Sequence, residues 1–393
     1  MAIGEAKRRS TKRRGNGEGS IFQRADGRWS AAIAVGYNSD GKRQRRTIYG
    51  RSKKAVQDQL LRLQASMLEG TLCSPTKLTV AKYLDRWLED AARPTVRATT
   101  YANYKGIAEN HINPRVGGIA IVKLTPPAVQ GLYTAMEREG ASAHTRLLAH
   151  AVLRRALKQA VKWGMVPRNV CDAVDPPRVP HTEICPLTTA EVVTLLKAAA
   201  GDERKGVARD RLEALYVVAI SSGLRLGELF GLQWADVDLT GVALSVRYTL
   251  EEINGKLNLR EPKTAKSRRK VELPQLAVRA LREHQKRALA AGHIGAGYVF
   301  VNKSGGPLRR SHFHAASFKP LLTLAGLPPI RFHDLRHTAA TLMLADGTHP
   351  KIVQERLGHS QISVTLDTYS HVLPTMQKEA VGKLDLLLAA AGA

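Results

Sequence analysis

The sequence predicts a multidomain, mainly α-helical protein with small β-sheets. Its 393 residues suit two or three domains. Helical periodicity recurs over most of the chain, and 44% of the residues are hydrophobic, enough to build separate cores. Alternating, strand-like runs are confined to one stretch near the N-terminus and another past the middle.

Residues 1–70 read as a basic tail followed by one small module. Lys7-Arg8-Arg9 and Lys12-Arg13-Arg14 form the tail, and Gly15 to Gly19 add flexibility. Ser20 to Gln23 is a first strand. Trp29, Ala31, Ile33 and Val35 alternate through a second, and Arg43 to Tyr49 is a third. Asp26-Gly27 and Ser39-Asp40-Gly41 supply the turns. Ser52 caps a helix running to Leu68, with Val56, Leu60 and Leu63 on its inner face. The module and tail hold sixteen basic residues against six acidic ones, and Arg43, Arg45 and Arg46 are expected to be exposed as DNA contacts. A small sheet of this kind can present a face to the major groove.

Leu72 to Lys77 reads as a linker, and residues 77–175 as a helical bundle. Thr79 caps a helix with Val80, Leu84, Trp87 and Leu88 on one face. A second runs from Ala98 to Ile112 and is ended by Pro114. Thr125-Pro126 opens a third, and Ser142 to Lys162 makes a long fourth, closed by Gly164. Arg146, Arg154, Arg155, Lys158 and Lys162 line that fourth helix, with Arg154, Arg155 and Lys158 the candidate DNA contacts. Asp175-Pro176-Pro177 to Pro180 is an extended linker.

Residues 182–376 form a third, α+β domain. Thr188 and Glu191 make a capping box, and Gly201 ends that helix. Leu212, Leu215, Tyr216 and Ala219 form a buried stripe leading to Ser222-Gly223-Leu224-Arg225-Leu226-Gly227-Glu228. Val242 to Leu250, Lys256 to Glu261 and Arg268 to Leu273 are expected as three antiparallel strands, with Lys263 at their second turn. Helices follow at Gln275 to Ala291 and Ser311 to Ala325, with a short extended run at Tyr298 to Asn302 between them; His312 and His314 carry no motif. From Ile330 to Val372 three short helices are expected. His333 and Arg336 share a helix face, with Leu335, Ala339, Leu342 and Met343 turned away. Gly347 stops that helix and Pro350 starts the next, which ends at Gly358-His359; Tyr369 comes ten residues after His359. Residues 377–393 form a C-terminal helix or tail, with Leu384, Leu387 and Leu388 apolar.

There are 60 Lys and Arg against 34 Asp and Glu, a net charge of +26, which favours a polyanion as partner. No apolar run approaches the ~20 residues of a membrane span, and no signal peptide is visible. Cys73, Cys171 and Cys185 have neither metal nor disulfide spacing and suit a reducing cytoplasm. His333 and His337 are four apart, a spacing that suits zinc, but no Asp, Glu or Cys completes a site and arginines stand beside them, so neither metal nor other cofactor is expected.

The pieces His333-Asp334-Leu335-Arg336-His337, Leu357-Gly358-His359 and Asp367-Thr368-Tyr369-Ser370-His371, in this order and spacing, resemble the second catalytic box of the tyrosine recombinases, the lambda-integrase family. The stretch around Arg225 resembles the first box. The resemblance implies an arm-type DNA-binding domain at the front, a core-binding bundle that closes over the duplex, and a catalytic domain. It implies Arg225 and Arg336 on the scissile phosphate, His333 shuttling a proton at the tyrosine, His359 donating to the phosphate, and Tyr369 as nucleophile. Lys263 would protonate the departing 5′ oxygen, with Lys266 an alternative nearby; the role of His337 stays open. The product would be a 3′-phosphotyrosyl link, reversible without ATP or metal.

The function implied is a site-specific recombinase of a phage or mobile element. It would act on core-type and arm-type double-stranded DNA sites as a homotetramer on the bacterial nucleoid. A recombination directionality factor and a host DNA-bending protein are further expected partners. Rival readings are a chromosome-dimer resolving recombinase, a type IB topoisomerase, and a DNA-binding regulator without catalysis.

Overall fold

The computed structural model describes residues 20–37, 42–68, 77–180, 185–202, 204, 206–262, 267–293, 297–359, 361–368, 381–382 and 388–390. The chain divides into two compact units, Met1–Pro180 and His181–Ala393.

The first unit contains two separate apolar cores. Strands β1 (Ser20–Gln23), β2 (Trp29–Tyr37) and β3 (Arg43–Gly50) form an antiparallel sheet in that order, backed by helix α1 (Lys53–Leu68). The Ser52 hydroxyl accepts from the Ala55 N–H at 3.2 Å, and Ala31, Ile33, Val56 and Leu60 close the core. The exposure expected of Arg46 is not met. Arg45 pairs with Ala34 and Arg46 with Ile33, so strand alternation sends them to opposite faces. Arg45 is exposed, whereas Arg46 lies on the helix side beside buried Ile33 and is half-buried. The side chain of Arg43, the basic tail, the turn at residues 39–41 and the linker over residues 72–76 lie outside the described residues.

The second core belongs to α2 (Val80–Trp87), α3 (Ala98–Ile107), α4 (Asn113–Val116), α5 (Pro126–Arg138) and α6 (Ala143–Lys162). Thr79, Thr125 and Ser142 cap α2, α5 and α6, each hydroxyl accepting a backbone N–H of the first turn. Pro114 does not end the second helix. A π-helical turn over Ala108–Ile112 absorbs the strain, and the chain stays helical to Val116 with Pro114 in the first turn of α4. There its missing N–H leaves no hydrogen bond unmade.

In the second unit, α7 (Thr189–Ala200) starts at the Thr188–Glu191 capping box. Helix α8 (Glu213–Ser222) is buried on nearly every side, a central position that its expected single stripe understates. Helix α9 (Leu226–Phe230) follows. The three strands expected between residues 242 and 273 are instead parts of two sheets. Strands β4 (Val237–Asp238), β5 (Ala243–Val246) and β8 (Arg269–Glu272) make one, and β6 (Thr249–Ile253) with β7 (Lys256–Arg260) makes the other. The run breaks at Arg247-Tyr248 because Leu250 is buried against α9, which takes β6 out of line with β5.

Helix α10 (Gln275–Ala290) packs on α8. Helices α11 (Arg310–Phe313) and α12 (Lys319–Leu324) are joined by a π-helical turn, His314–Phe318, where Phe313, Phe318 and Phe332 cluster. His312 is exposed and His314 stacks edge-on against Phe318. The last elements are α13 (Phe332–Ala345), α14 (Pro350–Leu357) and α15 (Ile362–Thr368). Helix α13 buries Leu335, Ala339, Ala340 and Leu344, while Leu342 and Met343 are only partly covered. The stripe is broader than predicted because α13 packs on α8 and on α14 at once. Among the described residues, no helix is long and apolar enough to cross a membrane. The expected helix from Met376 to Leu388 lies mostly outside the described residues.

Candidate active site

The site is built where the end of α8, the start of α13 and the end of α14 meet. Helix α8 terminates at Gly223, whose φ of +66° is left-handed; a Cβ there would stand 2.5 Å from Leu357 Cδ2. The bare backbone therefore passes directly beside α14 and turns Arg225 outward. The Arg225 N–H donates to Glu228 Oε2 and its Nη1 to Oε1, both at 2.9 Å. Glu228 is 3% exposed, whereas the Arg225 side chain is 39% exposed. Burial alone would raise the Glu228 pKa. The charge and hydrogen bonds of Arg269, then Arg225, outweigh it and hold the carboxyl below its ordinary value.

Arg336 is 3% exposed. Its Nη1 donates to the Gly223 carbonyl and its Nη2 to the Leu357 carbonyl, both at 2.7 Å. One guanidinium thus ties the first-box loop to the C-terminus of α14, and part of the fork expected for phosphate is spent on the fold. One turn earlier, the His333 ring meets His337 edge-on at 4.9 Å. Crowding by protein, then His337, Arg336 and Arg225, push the His333 pKa down to about 4. His333 still presents an open side to solvent, and its lowered pKa keeps the ring neutral at neutral pH.

Helix α14 ends at Gly358, also left-handed with φ +69° and ψ +42°. His359 follows, its N–H donating to the Gln354 carbonyl at 3.1 Å and its carbonyl accepting from Gln354 Nε2 at 2.8 Å. Its Nδ1 lies 2.8 Å from Thr365 Oγ1. Burial, then Arg336 and Arg225, lower the His359 pKa to about 4. Both histidines are depressed by the same two arginines, so Arg225, His333, Arg336 and His359 share one electrostatic field. Lys263 and Tyr369 lie outside the described residues; α15 ends at Thr368, one residue before Tyr369.

Arg269 and Thr365 escaped the sequence reading, which named Glu228 in the first-box stretch but gave it no role. Glu228 had a signal, standing three residues after Arg225 at a helix start. Arg269 sits in a run of basic residues and Thr365 in an amphipathic helix, and neither position marks a contact.

In the first unit, α6 carries a groove of about 730 Å³ lined by Arg154, Arg155, Lys158, Lys162 and Arg168. Arg154 Nε donates to Asp172 Oδ1 at 2.7 Å, and Arg155 Nη1 to the Tyr104 hydroxyl at 2.9 Å. Lys158 is exposed.

Residues 186–376 match the model of the phage integrase family, and residues 79–136 match the phage integrase N-terminal SAM-like domain. The ICEBs1 integrase of Bacillus subtilis is 30% identical over 301 residues, covering 73% of this chain and 78% of its own. A XerC-like tyrosine recombinase of Caldanaerobacter subterraneus is 29% identical over 382 residues, 91% of this chain and 95% of its own. In fold, the Tn1549 transposon integrase bound to a circular intermediate DNA superposes with a TM-score of 0.65 at 22% identity, covering 78% of this chain and 99% of that one. A lambda integrase tetramer bound to a Holliday junction gives a TM-score of 0.55 at 18% identity, over 90% and 98%. The fold is thus that of the DNA-bound integrases. The chain belongs to the phage integrase family, the tyrosine-type recombinases that cut and rejoin DNA.

Proposed function

We propose that this recombinase is the integrase of a phage or other mobile element, cutting through Tyr369 and joining attachment sites by strand exchange. The observation that carries the roles is the common field of Arg225 and Arg336 over two neutral histidines. Tyrosine has a reference pKa of about 10 and needs its proton removed. Neutral His333 accepts that proton while the Tyr369 oxygen bonds to phosphorus. The bond from phosphorus to the 5′ oxygen breaks, and Lys263 supplies the proton that the leaving oxygen takes up. Arg225 and Arg336 stabilise the extra charge on the non-bridging oxygens. A Thr365 hydroxyl donating to His359 Nδ1 leaves the proton on Nε2, the tautomer that can donate to the phosphate.

Residues 1–70 serve as the arm-type DNA-binding module, 77–175 as the core-binding domain with Arg154, Arg155 and Lys158 on phosphates, 182–376 as the catalytic domain, and 377–393 as a tail. The Tn1549 transposon integrase on a circular intermediate DNA, and lambda integrase on a core site and as a tetramer on a Holliday junction, support action as a homotetramer on core-type sites; binding of arm-type sites by residues 1–70 belongs to the same proposal. That action takes place on the bacterial nucleoid, with a directionality factor and a host DNA-bending protein as partners.

The test is Tyr369→Phe on a nicked duplex bearing the attachment core recovered from DNA beside the gene. Wild-type protein should leave a covalent band on a denaturing gel. The variant should bind equally and leave none. A covalent band from the variant assigns the nucleophile elsewhere.

A further inference from the structure

Arg269 opens β8, and its side chain is only 6% exposed. Its Nη1 and Nη2 donate to the two oxygens of Glu228 at 3.3 and 3.0 Å. Its Nε donates to the Arg356 carbonyl at 2.7 Å, and Nη1 also reaches the Ser267 carbonyl at 3.1 Å. A Cβ on Gly358 would stand 3.1 Å from Nη1, so the guanidinium lies against the turn that delivers His359. Arg225 holds the same carboxylate from its other side. One buried guanidinium therefore touches the carboxylate that orients Arg225, the backbone leading to His359, and the strand that follows residues 263–266.

A buried carboxylate is tolerated only when its charge is met. With Arg269 sharing that charge, Glu228 can orient Arg225 without neutralising it. Without Arg269, Arg225 is the guanidinium left on Glu228 among the described residues, and the carboxylate draws it away from the cleft. We propose that Arg269 is a positioning residue for strand cleavage, setting Arg225 through Glu228 and His359 through the Arg356 carbonyl. This rests on the phosphate-binding role of Arg225 proposed above. Lysine would not substitute, because a single ammonium cannot fork onto the carboxylate and reach the carbonyl as well.

The experiment uses full-length Arg269→Met, Arg269→Lys and the double variant Glu228→Gln with Arg269→Met on the same nicked duplex. Binding, single-turnover covalent yield and its pH profile are measured, with melting temperature as the check on folding. Both single variants should bind as wild type does and cleave roughly 10- to 100-fold more slowly. Arg269→Met should also gain an acid limb in its cleavage profile, because Glu228 loses its stronger cation and protonates more readily; the double variant should lack that limb. Wild-type cleavage by Arg269→Lys overturns the proposal, and that variant decides the matter if Arg269→Met does not fold. Parallel loss of binding and cleavage with an unchanged pH profile also overturns it, since that marks a purely structural role. No covalent product from the wild-type protein would instead overturn the proposed function and this inference together.

Discussion

The Nδ1 atom of His359 lies 2.8 Å from the hydroxyl of Thr365, a fully buried side chain on α15. That helix runs up to Thr368, next to the proposed nucleophile. The contact ties the imidazole to the helix that leads to Tyr369. Replacing Thr365 with Val keeps the shape and removes the hydroxyl, leaving the ring nitrogen without its partner at a cost of about 1–3 kcal/mol. Expressed in the transition state, that is roughly tenfold or more in cleavage rate. Thr365→Ser should recover most of it. Single-turnover cleavage with DNA affinity measured in parallel checks this; equal rates for Thr365→Val and wild type remove Thr365 from the site.

Gly223→Ala tests the turn beneath Arg225. The left-handed backbone costs a Cβ-bearing residue about 1–2 kcal/mol. The added Cβ would also stand 2.5 Å from Leu357 Cδ2, a clash of about 1–3 kcal/mol. A lower melting temperature and slower cleavage are expected together, because the same turn bonds Arg336 through its carbonyl. A variant as stable and active as wild type would show that the loop relaxes freely.

Acid should weaken the folded state as its buried histidines take up protons. His284, His333, His337 and His359 in the catalytic unit all have pKa values lowered first by burial from the ordinary 6.5. The unfolded chain therefore binds more protons in this range, and stability rises with pH through it. Stability is full above 6.5 and is lost as pH falls towards about 4, the value for His333 and His359. The carboxyl of Glu228, itself lowered, contributes its loss only below 4.5. Calorimetry at about pH 7.5 and about pH 5.5 should show a lower catalytic-unit melting temperature at the acid value. His333→Gln and His359→Gln should each flatten the slope.

The groove on α6 should act through phosphates. Lys158→Gln and Lys162→Gln should weaken core-DNA binding at low salt and reduce the slope of log K against log salt by about 0.9 per lysine. An unchanged slope would place both lysines off the DNA. Arg154→Gln should show less, since that guanidinium already bonds Asp172.

The family and its architecture were legible in the sequence, because each depends on local patterns. Caps such as Thr188–Glu191, the stripe through α8 and the order of His333, Arg336, His359 and Tyr369 are all written within a few turns of chain. Tertiary packing decided the rest. The strands between residues 242 and 273 split into two sheets because Leu250 is drawn into the core beside α9. Arg46 turned inward because its partner Ile33 faces α1. Arg269 entered the site because β8 runs beside α14, although the two are 87 residues apart at the Arg356 contact. A buried ion pair is chosen by what lies across the core from it, and no local pattern in a single sequence records that distance.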